Sequence, residues 1–168
     1  HLGCIPGLAL DLTTLDENGE PWNLSLPDMR RKAERLIDEQ QPILLIGSPM
    51  CTPFSNIQNL NKNKRDPAVI EDEITRGRLH LAWCCKLYMK QVARGAYFLH
   101  EHPANADSWN DTMMKESMKD PRVYQVIGDM CCFGMSQDDE LGEALIRKPT
   151  GFMTNAEMIA TRLARRCD

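Results

Sequence analysis

With 168 residues, a net charge of −4, 42% hydrophobic and 26% charged residues, the chain has the size and composition of one α/β domain with a substantial core. The charge excludes a strongly basic nucleic-acid module, though not a local basic groove, and there is no run of roughly 18 apolar residues to suggest a membrane span. Seven cysteines, with Cys84-Cys85 and Cys131-Cys132 adjacent, do not have the spacing of a secreted disulfide framework and point to a reducing intracellular setting, nucleus or cytoplasm.

The chain opens on His1 rather than methionine and shows no signal peptide, as expected of a piece of a longer or processed polypeptide. Gly7 to Thr13 reads as a short strand, and Asp16 to Pro21 as a cluster of turn formers. Pro27 opens a helix through Met29, Ala33, Leu36 and Ile37, with Asp28 favoured by the dipole of its first turn, and Gln40-Gln41-Pro42 stops it. Ile43 to Gly47 then reads as a buried strand that breaks at Gly47-Ser48-Pro49. Asn56 to Asp66 follows as a polar loop with four asparagines and three basic residues.

A long helix is predicted from about Pro67 to Arg94, its acidic start and basic end matching the macrodipole, and Gly95 ends it. Its apolar stripe of Ile70, Ile74, Leu81, Cys84, Cys85, Tyr88 and Val92 makes Cys84 and Cys85 core residues. The strand Ala96 to His100 runs into Glu101-His102-Pro103, and 107–119 reads as a helix burying Trp109, Met113, Met114 and Met118. Val123 to Ile127 is a further strand. Arg147 to Met153 reads as an edge segment because Pro149 lacks a ladder donor, and Thr154-Asn155-Ala156-Glu157 as a capping box launching a helix to about Arg166. The alternation of strands and helices predicts a mostly parallel, Rossmann-like sheet flanked by helices.

Cys51 and Glu101 each follow a buried strand, and one crossover helix separates those strands. Right-handed crossover puts both strand ends on one sheet edge, where open α/β sheets place their chemistry. A thiolate would attack there while a partly desolvated carboxyl group donates a hydrogen bond to a substrate ring. The bland readings are a structural cysteine and a carboxylate that binds loop amides. His100 and His102 alternate along their strand and so share a face, which permits a metal site with Cys51.

The segment Pro49-Met50-Cys51-Thr52-Pro53-Phe54-Ser55 resembles the Pro-Cys loop of cytosine-5 DNA methyltransferases, usually Pro-Pro-Cys-Gln-x-Phe-Ser. Tyr97-Phe98-Leu99-His100-Glu101-His102-Pro103 is similar to their Glu-Asn-Val strand end, in its Glu-Asn-Pro or Glu-His-Pro variant. Cys132-Phe133-Gly134, and Arg147-Lys148-Pro149-Thr150 with Thr154-Asn155, resemble signatures of divergent phage and retroelement-borne members, so the likeness covers residues 7 to 166. It implies a single methyltransferase-like domain over 1–168 that uses S-adenosylmethionine to methylate cytosine in DNA, or RNA, after base flipping.

On that resemblance Cys51 adds to cytosine carbon 6, Glu101 holds ring nitrogen 3 and the exocyclic amine, and Arg147 or Lys148 contacts the pyrimidine. The implied cofactor contacts are Asp11, Trp22, Ser48 and Pro49, and the implied substrate contacts are Ser55, His102 and Thr150. The sequence departs from the family in lacking a glycine-rich first turn before Gly7, in Met50, Thr52 and His102, and in having no large DNA-reading domain. A missing N-terminal segment or a second copy would then complete the cofactor site. Three other readings stand beside this one: a non-catalytic relic of the fold acting as an interaction module, a thiol hydrolase pairing Cys51 with His100 or His102, and a zinc site on those same three residues.

Overall fold

The computed structural model describes residues 5–55, 65–140 and 142–167, and the chain divides into two compact units, 1–43 and 44–168. The expected polar loop at 56–66 falls mostly outside the described residues. Among those described, no helix is long and apolar enough to cross a membrane.

In the first unit the expected strand at 7–13 is absent. Asp11 Oδ1 instead accepts hydrogen bonds from the Thr13 amide and hydroxyl, both at 2.6 Å, and from the Thr14 amide at 3.2 Å. Such a local Asx turn competes with strand pairing for the backbone donors. A second turn forms on Asp16, whose carboxylate accepts from the Asn18 and Glu20 amides and from Lys32 Nζ at 2.5 Å. Helix α1, Pro27–Gln40, buries Ala33 and Ile37, four residues apart on one face. It ends where Gln41 turns left-handed at φ 45° ahead of Pro42.

The second unit carries β1 (Leu44–Gly47), α2 (Pro67–Ala93), β2 (Tyr97–Pro103), α3 (Thr112–Ser117), β3 (Tyr124–Asp129), β4 (Ser136–Asp139), β5 (Gly142–Leu145), β6 (Pro149–Thr154) and α4 (Glu157–Leu163). Four strands form one mixed sheet in the order β1-β2-β6-β3, while β4 and β5 pair separately. Only β1 and β2 are parallel; β6 runs antiparallel to both β2 and β3. The unit is thus α/β, but the expected mostly parallel sheet is not what forms, because β6 returns between two strands that run the same way.

Far from being an edge segment, β6 lies inside the sheet and buries every residue from Thr150 to Thr154. Pro149 opens the strand, a position where a missing ladder donor is tolerated. The exposed edge belongs to β1, expected to be buried, whose Leu44 and Ile46 remain 37% and 63% exposed with β2 as the strand's paired neighbour.

Helix α2 starts on an Asp66 cap whose carboxylate accepts from the Ala68 amide, and it packs Leu81, Cys84, Cys85, Tyr88 and Val92 into the core with Phe98, Trp109, Met114 and Met153. Cys84 and Cys85 are core residues as read from the stripe, and burial pushes the Cys85 thiol up to about 11. Residues 107–117 divide into a short 3-10 turn and α3, with Trp109 and Met114 buried but Met113 40% exposed.

No side-chain capping box forms at α4. Thr154 Oγ1 donates instead to the Phe98 carbonyl, and Asn155 exchanges hydrogen bonds with the backbone of Ala96 and Phe98, both residues facing β2. The helix stops at Leu163, short of Arg166, because the Arg165 carbonyl accepts from the Asp129 amide at 2.8 Å and draws the tail onto the end of β3.

Candidate active site

Register places the C-terminal ends of β1 and β2 side by side, Gly47 opposite His100, and brings the start of β6 to the same edge, Thr150 opposite Pro103. Cys51 and Glu101 therefore lie on elements that meet at one edge of the sheet, as the strand-crossover argument predicts, and the segment before β6 brings Arg147 and Lys148 to the same edge. Gly47 is needed for this approach: a Cβ there would overlap the Tyr88 hydroxyl.

After Gly47 the chain is tied to β2 at two successive residues. Ser48 Oγ donates to Glu101 Oε2 at 2.7 Å, and the Pro49 carbonyl lies 2.8 Å from His102 Nε2. A carbonyl only accepts, so Nε2 of His102 carries the hydrogen, and Nδ1 accepts from the Ser108 hydroxyl at 2.6 Å. Burial holds His102 below the ordinary histidine range, against the Pro49 carbonyl and the Glu101 charge, and so keeps it neutral.

Cys51 follows on the first turn of a 3-10 segment, Thr52–Phe54, with its carbonyl accepting from the Phe54 amide at 2.9 Å. Phe54 is buried, its ring 6.1 Å from that of His102, and Pro53 packs where Gly77 leaves room on α2. Cys51 is half-buried and its thiol is free. The loop thus anchors both sides of Cys51 and leaves the residue outside the packed core, which suits a nucleophile better than a core cysteine.

His100 belongs to the interior. Its Nδ1 lies 3.1 Å from the Tyr88 hydroxyl, and its buried Nε2 has no partner among the described residues. Desolvation, with the neighbouring His102 adding a smaller effect, lowers it to about 3. With both nitrogens of His102 engaged and Nδ1 of His100 committed to Tyr88, the pair acts as packing and positioning groups. Neither the hydrolase arrangement nor the zinc site on Cys51, His100 and His102 forms; the sole metal-competent group among the described residues is Cys131, Cys132 and Cys167.

The other expected residues scatter. Thr150 is 1% exposed and donates to the Lys148 carbonyl, while Lys148 is exposed. Arg147 lies 3.5 Å from Asp129 Oδ2. Ser55 closes the 3-10 turn through its amide to the Thr52 carbonyl. Asp11 and Trp22 belong to the first unit, where Trp22 is 5% exposed with Lys32 Nζ 5.3 Å above its ring. Trp22, Lys32, Arg35 and Leu36 help line a cavity of about 490 Å³ in that unit, whose wall does not include Asp11.

Asp129 escaped the sequence reading, which ended its strand at Ile127. It is fully buried at the end of β3, where Oδ2 accepts from the Cys167 amide at 2.9 Å and from Arg166 Nε at 3.0 Å. That amide, ahead of Arg166 and Arg147, holds its carboxyl below the usual range despite burial. An acidic residue directly after Gly128 at a strand end was the available signal. Beside it Cys131 and Cys167 form a disulfide, although the cysteine spacing points to a reducing setting. The fold brings together two cysteines that lie 36 residues apart in sequence. No protein-family model, curated protein or solved structure matches the chain.

Proposed function

We propose that the second unit carries the base-activating half of a cytosine-5 methyltransferase-like site acting on DNA, within a Rossmann-like methyltransferase type of fold. The observation that carries this reading is the double tether of the Cys51 loop to β2, through Ser48 to Glu101 and Pro49 to His102. Those contacts set a half-buried cysteine and a carboxylate at the same sheet edge, as addition to a held pyrimidine requires.

In the proposed step the Cys51 thiolate forms a bond from Sγ to cytosine carbon 6, and the electron pair of the 5,6 double bond moves to carbon 5. Glu101 holds nitrogen 3 and the exocyclic amine, and His102 acts as a positioning residue through the Pro49 carbonyl. Lys148, exposed just before β6, supplies positive charge for the nucleic acid, while Arg147 beside it is paired with Asp129.

S-adenosylmethionine is the methyl donor that the resemblance implies, but the residues expected to hold it do not fit that task. Asp11 caps its own turn, Trp22 is covered by Lys32, and Ser48 and Pro49 are bonded to Glu101 and His102. These commitments favour a second reading, a nucleic-acid-binding module that has lost methyl transfer.

Exchange of the hydrogen at cytosine carbon 5 separates the two readings without a methyl donor. Addition at carbon 6 makes carbon 5 basic, so it takes a proton from solvent and, when the thiolate leaves, releases either hydrogen. Incubated in heavy water with a single-stranded cytosine oligonucleotide, the chain is expected to incorporate deuterium at carbon 5. Cys51→Ser abolishes exchange, and Glu101→Gln slows it about 100-fold. Binding of the oligonucleotide without exchange sinks the catalytic reading and leaves the binding module.

A further inference from the structure

The three cysteines at the end of β3 have no part in the proposed site. Cys131, Cys132 and Cys167 place their sulfurs within 4.8 Å of one another, and Cys132 Sγ lies 3.8 Å from Cys167 Sγ although Cys131 is the residue bonded to it. Thiolates bound 2.3 Å from a tetrahedral zinc ion lie about 3.8 Å apart, so Cys132 and Cys167 already have the spacing of two ligands of one ion.

The surrounding structure fixes that spacing. Cys131 and Cys132 sit on a 3-10 turn that Gly134 ends in the left-handed region, at φ 81°. Cys167 is positioned by its amide on Asp129 Oδ2, and Arg165 packs 5.5 Å from the Phe133 ring. The carboxylate that holds Cys167 is itself buried, its Oδ1 without a partner among the described residues.

We propose that Cys131, Cys132 and Cys167 form a thiolate site for Zn²⁺ in the reduced chain, and that the Cys131–Cys167 disulfide is the oxidised, metal-free state of the same cluster. Interconversion needs a dithiol. Reduction transfers two electrons and two protons to the disulfide, giving two thiols while the dithiol becomes a disulfide. Zn²⁺ then replaces the thiol protons, which pass to solvent, and a water completes four-coordination. Either state ties residues 164–167 to the end of β3, beside Arg147.

The test uses the full 168-residue chain, reduced with a dithiol and exchanged into anaerobic buffer, titrated with Zn²⁺ alone and, in parallel, with Co²⁺ to read thiolate charge-transfer absorption. One equivalent of Zn²⁺ is expected to bind, and Co²⁺ to give an absorption matching three thiolates. Cys132→Ser retains the disulfide and so can be purified folded before reduction. In it, Zn²⁺ affinity falls at least 10-fold and the cobalt band loses about one third of its intensity, while Cys51→Ser leaves both unchanged. The oxidised chain takes up no zinc. A reduced chain that binds none, or a Cys132→Ser variant that binds as tightly as the parent, overturns the site.

Discussion

The two halves of the sheet's functional edge are held by opposite chemistry. At the β1–β2 end, the neutral His102 imidazole and the Ser48 hydroxyl bridge the loop to the strand, and Cys51 and Glu101 keep partial exposure. At the β3 end, a fully buried carboxylate takes two arginines and a backbone amide, and a disulfide covers it with the chain's own tail. The bridge through neutral His102 fixes the loop without engaging the Cys51 thiol, and the Ser48 tether takes up only one oxygen of Glu101. A buried carboxylate consumes its neighbours' charge and serves structure, since a buried charge is tolerated only when paired and hydrogen-bonded.

The sharpest way to break this contrast is to fill the glycine at each strand end. A Cβ on Gly128 would meet the Leu163 carbonyl, which is backbone, whereas one on Gly47 would meet the Tyr88 hydroxyl, a side-chain atom. Gly128→Ala is expected to destabilise the chain by about 3 kcal/mol and Gly47→Ala by about 2 kcal/mol, the usual range for overpacking. Urea midpoints check the order. Gly128→Ala should also expose the Cys131–Cys167 disulfide to faster reduction, and Gly47→Ala should not. Equal reduction rates in both variants would mean that the two ends are one cooperative structure.

Acid should separate the halves next. His100 titrates near 3 in the folded chain against an ordinary 6.5, so the unfolded chain binds a proton that the folded one refuses. Its contribution is complete above pH 6.5 and drains away below it, at about 1.4 kcal/mol per pH unit, or roughly 2 kcal/mol by pH 5. Asp129 is depressed instead, so what it contributes is present above its ordinary value of 3.8 and is lost only below that. Urea midpoints measured from pH 7 to 5 should therefore fall, and the fall should be smaller in His100→Phe. A parent midpoint that does not move over that range would contradict the neutral, buried imidazole.

Local signals made α1, α2 and the neighbouring ends of β1 and β2 legible in the sequence: a proline at each helix start, an apolar stripe and a crossover of the right length. What stayed hidden depended on distant partners. Nothing local to Pro149 says that β6 will enter between β2 and β3, and a proline at a strand's first residue looks the same on an edge or inside. Thr154 and Asn155 have the local form of a helix cap, yet Asn155 bonds the backbone of β2 and its approach, and Thr154 divides its hydroxyl between the Phe98 carbonyl and the Ala156 amide. Apolar neighbours give Asp11 the local pattern of a strand, while its carboxylate satisfies the Thr13 and Thr14 amides locally. In the candidate site, the positions of Cys51 and Glu101 followed from strand ends, but the His102 bridge required knowing that Ser108 and Pro49 would flank its ring.

The smallest expected change in stability tests whether the β1–β2 end is built for chemistry. Ser48 donates to Glu101 across an exposed contact, and such a hydrogen bond contributes about 1 kcal/mol or less. Ser48→Ala should therefore shift the urea midpoint little. Its effect on cytosine should be larger in proportion, because without the hydroxyl Glu101 regains rotamers and loses the orientation needed to hold the base. Exchange at cytosine carbon 5 is expected to slow 3- to 10-fold, chiefly through a weaker apparent affinity for the oligonucleotide, whereas Ser48→Thr, which keeps a hydroxyl on Cβ, restores most of it. If Ser48→Ala lowers stability and exchange in the same proportion, Ser48 braces the fold. An unchanged affinity would mean that Glu101 does not meet the base.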